Sequence, residues 1–322
     1  MKDFDYFVGV DWSGDRKAWQ KGLKVAVAYP GNEPPTLIYG PGPGGKWSRN
    51  AFAIWCTERV GEGRILVGLD FAFGFPAIDR KICRAKLSWK YVHDLCKDDK
   101  NFYGGRFFKV EDAPHSGIVN RRMHPGTDYS AKRFRATERA ASRTKGATPQ
   151  TLFNSVGAAQ VGPSSISGMR FLRHLHDGCS DRALIWPLEE MDDDRSVVVE
   201  VFPRFFPLSR QLSPKLSDHA SLNAALMAFN SKPVREPPES EDEGDALLTA
   251  AALRSLSQDA ASFALPDRRF RKEGWIFGVP FDHQSDIKLT VEQALEIERG
   301  LSDEEPFASA DEVSMVFKRL TK

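Results

Sequence analysis

Apolar residues along this chain come in short runs, and the most telling of them end on an acid. Tyr6 to Val10 is apolar and strand-forming, then meets Asp11, Trp12 and a Ser13-Gly14 turn. Leu23 to Tyr29 predicts a second strand closed by Pro30-Gly31-Asn32, and Thr36 to Tyr39 a short third before the Gly/Pro-rich 40–45. Turn-length connections between these three predict an antiparallel meander. Trp47 to Arg59 carries Phe52, Trp55 and Cys56 on one face and predicts a helix. Arg64 to Asp70 is almost continuously apolar, as expected for a strand buried on both faces, and it too finishes on an aspartate. Val197 to Phe202 predicts a fifth strand with Glu200 inside it.

The rest of the pattern is mainly helical. Trp89 to Cys96, Gly168 to His176 and Ala220 to Phe229 predict helices, and 231–243 a Pro/acid-rich linker. Ser240 and Glu243 have capping-box spacing, so a helix should start there and run to Leu256. At 100° per residue, Asp242, Asp245, Thr249, Ala252 and Leu256 share one face, which places two acids on the side that packs against the sheet. Lys272 to Pro280 suggests a last strand or tight loop, and Leu289 to Gly300 and Ala308 to Leu320 two tail helices.

These elements imply an α/β fold with a mixed sheet, an antiparallel meander plus parallel strands, flanked by helices. The core would be discontinuous, 1–76 and 195–283. Residues 77–194 would be an inserted cap with a basic stretch, and 284–322 an acidic helical tail.

Composition narrows the function without naming it. The 322 residues are 41% hydrophobic and 28% charged, with a net charge of +1, so any polyanion must be held by a local patch. Cys56, Cys83, Cys96 and Cys179 lack CxxC spacing and read as reduced packing thiols. The start lacks a signal-peptide core and no run reaches membrane-spanning length, so a cytoplasmic location without membrane contact is expected. His174 and His176 lie two apart, on different helix faces, and read as surface or core. His115 and His124 fall in the insertion, where phosphate contact is an option. The glycine-rich 40–45 has no Gly-Lys-Ser/Thr ending and is not a Walker-type loop.

The acids carry the candidate chemistry. If the first and fourth strands pair in parallel, Asp11 and Asp70 lie side by side at the carboxyl edge of the sheet, where α/β folds bind ligands. Asp242 and Asp245 open the last core helix, and Glu200 is costly inside an apolar strand unless something meets it. Two Mg²⁺ or Mn²⁺ ions about 4 Å apart can activate water, set in-line geometry and neutralise a phosphate, and they take oxygen ligands. The metal set is Asp11, Asp70, Glu200, Asp242 and Asp245, with Asp11, Asp70, Glu200 and Asp245 as the catalytic group. Arg121, Arg122, Lys132, Arg133, Arg135 and Arg139 would contact nucleic-acid phosphates, with Tyr129 and Phe134 available to stack on bases.

In arrangement the chain resembles the ribonuclease H-like superfamily. The segments Val-Gly-Val-Asp-Trp-Ser-Gly, Val-Gly-Leu-Asp-Phe-Ala-Phe-Gly-Phe-Pro, Val-Glu-Val-Phe-Pro and Glu-Gly-Asp-Ala-Leu-Leu-Thr-Ala-Ala resemble the predicted-nuclease family of domain of unknown function 429 over roughly residues 6 to 280. The Asp-x-x-Asp-Ala helix start also resembles Holliday-junction resolvases. The resemblance implies a metal-dependent nuclease leaving a 5′-phosphate and a 3′-hydroxyl. Two other functions fit parts of the pattern. A sugar-kinase or actin-like phosphotransfer enzyme shares the first strand's ending, but the fifth strand lacks the second glycine-rich phosphate turn such proteins carry. A non-catalytic nucleic-acid or protein-binding module is the other, with the acidic tail as a protein-binding element.

Overall fold

The computed structural model describes residues 3–76, 88–108, 134–154, 161–266 and 268–281. Six strands form one mixed sheet in the order β3-β2-β1-β4-β6-β5. They are β1 (Tyr6–Asp11), β2 (Lys24–Ala28), β3 (Thr36–Ile38), β4 (Ile65–Leu69), β5 (Ala183–Ile185) and β6 (Ser196–Glu200). β1, β2 and β3 run antiparallel to their neighbours, while β1, β4, β6 and β5 pair in parallel. Central strands β4 and β6 are buried at every residue, which is why their sequences do not alternate.

Eight helices accompany the sheet among the described residues: α1 (Arg49–Glu62), α2 (Ser88–Cys96), α3 (Ala136–Ala141), α4 (Gly162–Cys179), α5 (Phe205–Ser209), α6 (His219–Ala228), α7 (Glu241–Leu256) and α8 (Arg268–Arg271). Alternate residues of each strand face opposite layers. Val8, Val10, Val67, Leu69 and Val198 pack with Phe52, Phe171 and other residues of α1, α2 and α4. Phe7, Ala26, Leu66, Val197 and Val199 pack under α6 and α7. The meander, the parallel strands and the flanking helices are as the pattern predicts.

One expectation changes. Ala183–Ile185 pairs in parallel with β6, and α4 closes the first core layer, so this part of 77–194 belongs to the sheet and its cover and not to a cap. A three-residue strand carries no periodicity to read. Of the strand or tight loop expected over Lys272 to Pro280, the structure has the loop: Ile276 makes an isolated parallel bridge to Glu200, and the Phe277 N–H donates to the Glu200 carbonyl at 2.8 Å. The tail 284–322 and Cys83 lie outside the described residues. Cys56, Cys96 and Cys179 are buried free thiols, as expected. Among the described residues no helix is long and apolar enough to cross a membrane.

Candidate active site

Parallel register decides where the first two acids stand. Val10 is level with Leu69, and the Asp70 N–H donates to the Val10 carbonyl at 3.1 Å, so Asp11 and Asp70 end adjacent strands at the same height. Leu69 is level in turn with Glu200, which puts Glu200 one residue short of that height. By strand alternation Asp11 follows Gly9 toward α7, whereas Glu200 follows Val198 toward the opposite layer.

α7 brings the next two acids. Ser240 caps it, accepting from the Glu243 N–H at 3.3 Å. Glu243 reaches back to the Glu239 N–H at 2.8 Å, one residue before the cap, and pairs with Lys24 at 2.7 Å. The helix lies so close to β1 and β4 that two facing glycines leave little or no room for a side chain, Gly9 against backbone and Gly68 against side-chain methyls. A Cβ on Gly9 would fall 2.2 Å from the Ala246 carbonyl oxygen, and one on Gly68 2.9 Å from a Leu253 methyl. That approach carries Asp242 and Asp245 to the strand ends. A buried Arg49 at the start of α1 secures the loop beyond Asp11, donating to the Ser13, Asp15 and Asn101 carbonyls at 2.7, 2.9 and 2.8 Å.

Asp11, Asp70, Glu200, Asp242 and Asp245 all line one cavity of about 460 Å³. Their mutual repulsion in a poorly hydrated place is strong. Burial, then Asp70, Asp245 and Asp242, holds the Asp11 carboxyl well above its usual range. Asp11 also shares a hydrogen bond with Asp242, Asp11 donating and Asp242 accepting. Burial and the neighbouring Glu200 push Asp70 up to about 7. Asp245 is raised well above the carboxylate range by burial and by Asp70, Glu241 and Asp242, with Arg204 opposing. Its Oδ1 is buried without a hydrogen-bond partner.

Glu200 is a correction to the predicted ligand set. Both its carboxylate oxygens are engaged by Arg135, through Nη2 on Oε1 and through Nη1 on Oε2 at 2.7 Å, and the Phe73 N–H adds 2.9 Å on Oε2. Arg135 also binds Glu138 Oε1 at 2.9 Å and the Glu273 carbonyl at 2.8 Å, and it is 2% exposed. Burial alone would lower the Arg135 pKa, but Glu200 and Glu138 outweigh it and keep the guanidinium charged. So Arg135, expected on a nucleic-acid phosphate, is instead the buried partner that makes an acid inside β6 tolerable. Arg139 lies partly exposed on α3, away from the cavity lining. Arg121, Arg122, Lys132, Arg133, Tyr129, His115 and His124 lie outside the described residues.

A divalent ion suits this donor set in two respects. The acids not tied up by Arg135 offer only hard oxygens, and one buried Asp245 oxygen has no other partner. The acids nonetheless line the cavity without converging: among the described residues, no three His, Cys, Asp or Glu side chains are grouped to hold a metal ion. Loading would require the carboxylates to draw inward. Two further polar groups at the cavity escaped the sequence pattern. Ser165 accepts from the Ala72 N–H at 3.2 Å behind the Asp70 loop, and Arg204 stands on the rim.

The chain matches no protein-family model, no curated protein and no solved structure.

Proposed function

We propose that this chain is a metal-dependent phosphodiester hydrolase. The observation that carries the reading is that separate elements supply acids to the lining of one cavity: β1 and β4 supply Asp11 and Asp70, and α7 supplies Asp242 and Asp245. Four acids line one site; burial raises Asp11, Asp70 and Asp245, and neighbouring carboxylates add to each shift, which are the electrostatics of a site suited to cations. The strand order, with a three-stranded meander followed by parallel strands, is also the one the ribonuclease H-like resemblance implies.

In this reading Asp11, Asp70 and Asp245 hold Mg²⁺ or Mn²⁺. Bound there, the metal supplies Lewis-acid polarisation of the phosphate and a more acidic water. Asp242, hydrogen-bonded to Asp11 and partly exposed, is placed to orient the attacking water and take its proton. Water oxygen would attack phosphorus as Asp242 takes its proton, the bond to the leaving oxygen would break, and that oxygen would take up a proton from solvent while Asp242 releases its own to solvent. Glu200 stays with Arg135 and sets the charge beneath Asp70 without binding the ion.

The reading is tested by incubating the protein with Mn²⁺ and single-stranded, duplex and junction DNA and RNA. Cleavage by the wild type, lost with chelator and in Asp11→Asn, is expected. Metal-independent cleavage, or an Asp11→Asn variant as active as wild type, would contradict it.

A further inference from the structure

We infer that the cavity takes a phosphate ester of mononucleotide size, a free dinucleotide or the end of a single strand, and that Arg204 holds its phosphate. The inference rests on the hydrolase reading above and adds the substrate class.

Size is the first argument. A volume of about 460 Å³ sits near the lower end of the roughly 300–1,000 Å³ that small-molecule sites occupy. The walls come from several sides: the strand ends with Asp11 and Asp70, the start of α7, and the segment Thr148 to Gln150. Phe202 and Pro203 give one wall an apolar character suited to a base, while the acids occupy the floor.

Charge is the second argument. Among the described residues that line the cavity, the cations are Arg135 and Arg204. Arg135 is sealed against Glu200 and Glu138. Arg204 is exposed, at the turn between β6 and α5, and no described residue hydrogen-bonds to its guanidinium or lies in ion-pair range. Its field reaches Asp245 and Glu241, so it places positive charge beside acids that would otherwise repel an anion. A planar guanidinium with no donor taken by a described residue is the geometry suited to a phosphate group.

The test uses a thymidine dinucleotide, a linear single-stranded oligonucleotide, the same oligonucleotide circularised, and a duplex, all with Mn²⁺. The dinucleotide should be cleaved, and the circle and duplex spared. Cleavage of the linear strand from its terminus identifies a strand end as the source; its survival identifies the free dinucleotide. Arg204→Gln should raise KM for the dinucleotide roughly tenfold or more, with the unfolding midpoint unchanged. A circle cut as fast as the linear strand, or an unchanged KM in Arg204→Gln, overturns the inference. If the wild type turns over nothing, equilibrium binding of a phosphorothioate dinucleotide in Ca²⁺ separates the two readings. Binding that weakens in Arg204→Gln upholds the phosphate site while the hydrolase reading fails. No binding by the wild type overturns both.

Discussion

Gly9 and Gly68 are register partners on neighbouring parallel strands, and α7 fills the space above both. Ala246, Thr249 and Ala250 meet Gly9, and Thr249 and Leu253 meet Gly68. Because Asp242 and Asp245 ride on the first turns of this helix, the depth at which α7 sits governs how close four acids come. The glycine pair therefore belongs to the site as much as to the core.

Gly9→Ala should destabilise the fold by about 3 kcal/mol, since backbone atoms of α7 cannot move aside singly. Gly68→Ala should cost less, because it meets side-chain methyls at 2.9 Å and beyond. Urea unfolding of both variants checks the ranking. Equal, negligible losses would mean that α7 does not sit this close.

Stability should fall as pH rises through neutrality when no metal is added. Asp70 keeps its proton in the folded chain up to about 7, whereas an unfolded aspartate releases it near 3.8. Between those values the folded state binds more protons, so each step up in pH favours unfolding; above 7 the part of the loss due to Asp70 is complete. The melting temperature should be several degrees lower at pH 8 than at pH 5.5, and Asp70→Asn should flatten that slope. Mn²⁺ at pH 8 should restore the lost stability in the wild type alone. A wild-type slope identical to that of Asp70→Asn would contradict the proton assignment.

Glu200 and Arg135 should behave as one buried unit. Arg135→Ala leaves an uncompensated acid inside β6 and should cost about 3–5 kcal/mol. Arg135→Met with Glu200→Leu should cost much less than the two single changes added together, since no charge is left stranded. Additive losses in a double-mutant cycle would rule out the pairing.

The strand-end acids were legible because an apolar run that stops on a carboxylate is an uncommon local pattern. Asp11 and Asp70 showed it, and the Ser240-to-Glu243 spacing placed α7 and its two acids. What stayed hidden depends on contacts distant in sequence. Glu200 was visible as an expensive acid, but its partner lies 65 residues earlier in a run of arginines among which spacing marks none as buried. Arg49 looks like an ordinary helix charge until the Ser13 to Asp15 loop is seen wrapped around it. β5 is three residues long and shows its place only by pairing with β6. Arg204 follows a strand in an otherwise apolar Phe-Pro-Arg-Phe turn, and its role comes from the acids across the cavity.

The most direct test of the central claim is calorimetric titration of Mn²⁺ into the wild type and Asp11→Asn at pH 8. The account predicts saturable binding to the wild type with release of protons, since Asp11 and its neighbours must ionise to bind, and binding at least tenfold weaker in the variant. Equal affinity in the two proteins, or no binding to the wild type, would show that the acids at these strand ends do not hold metal.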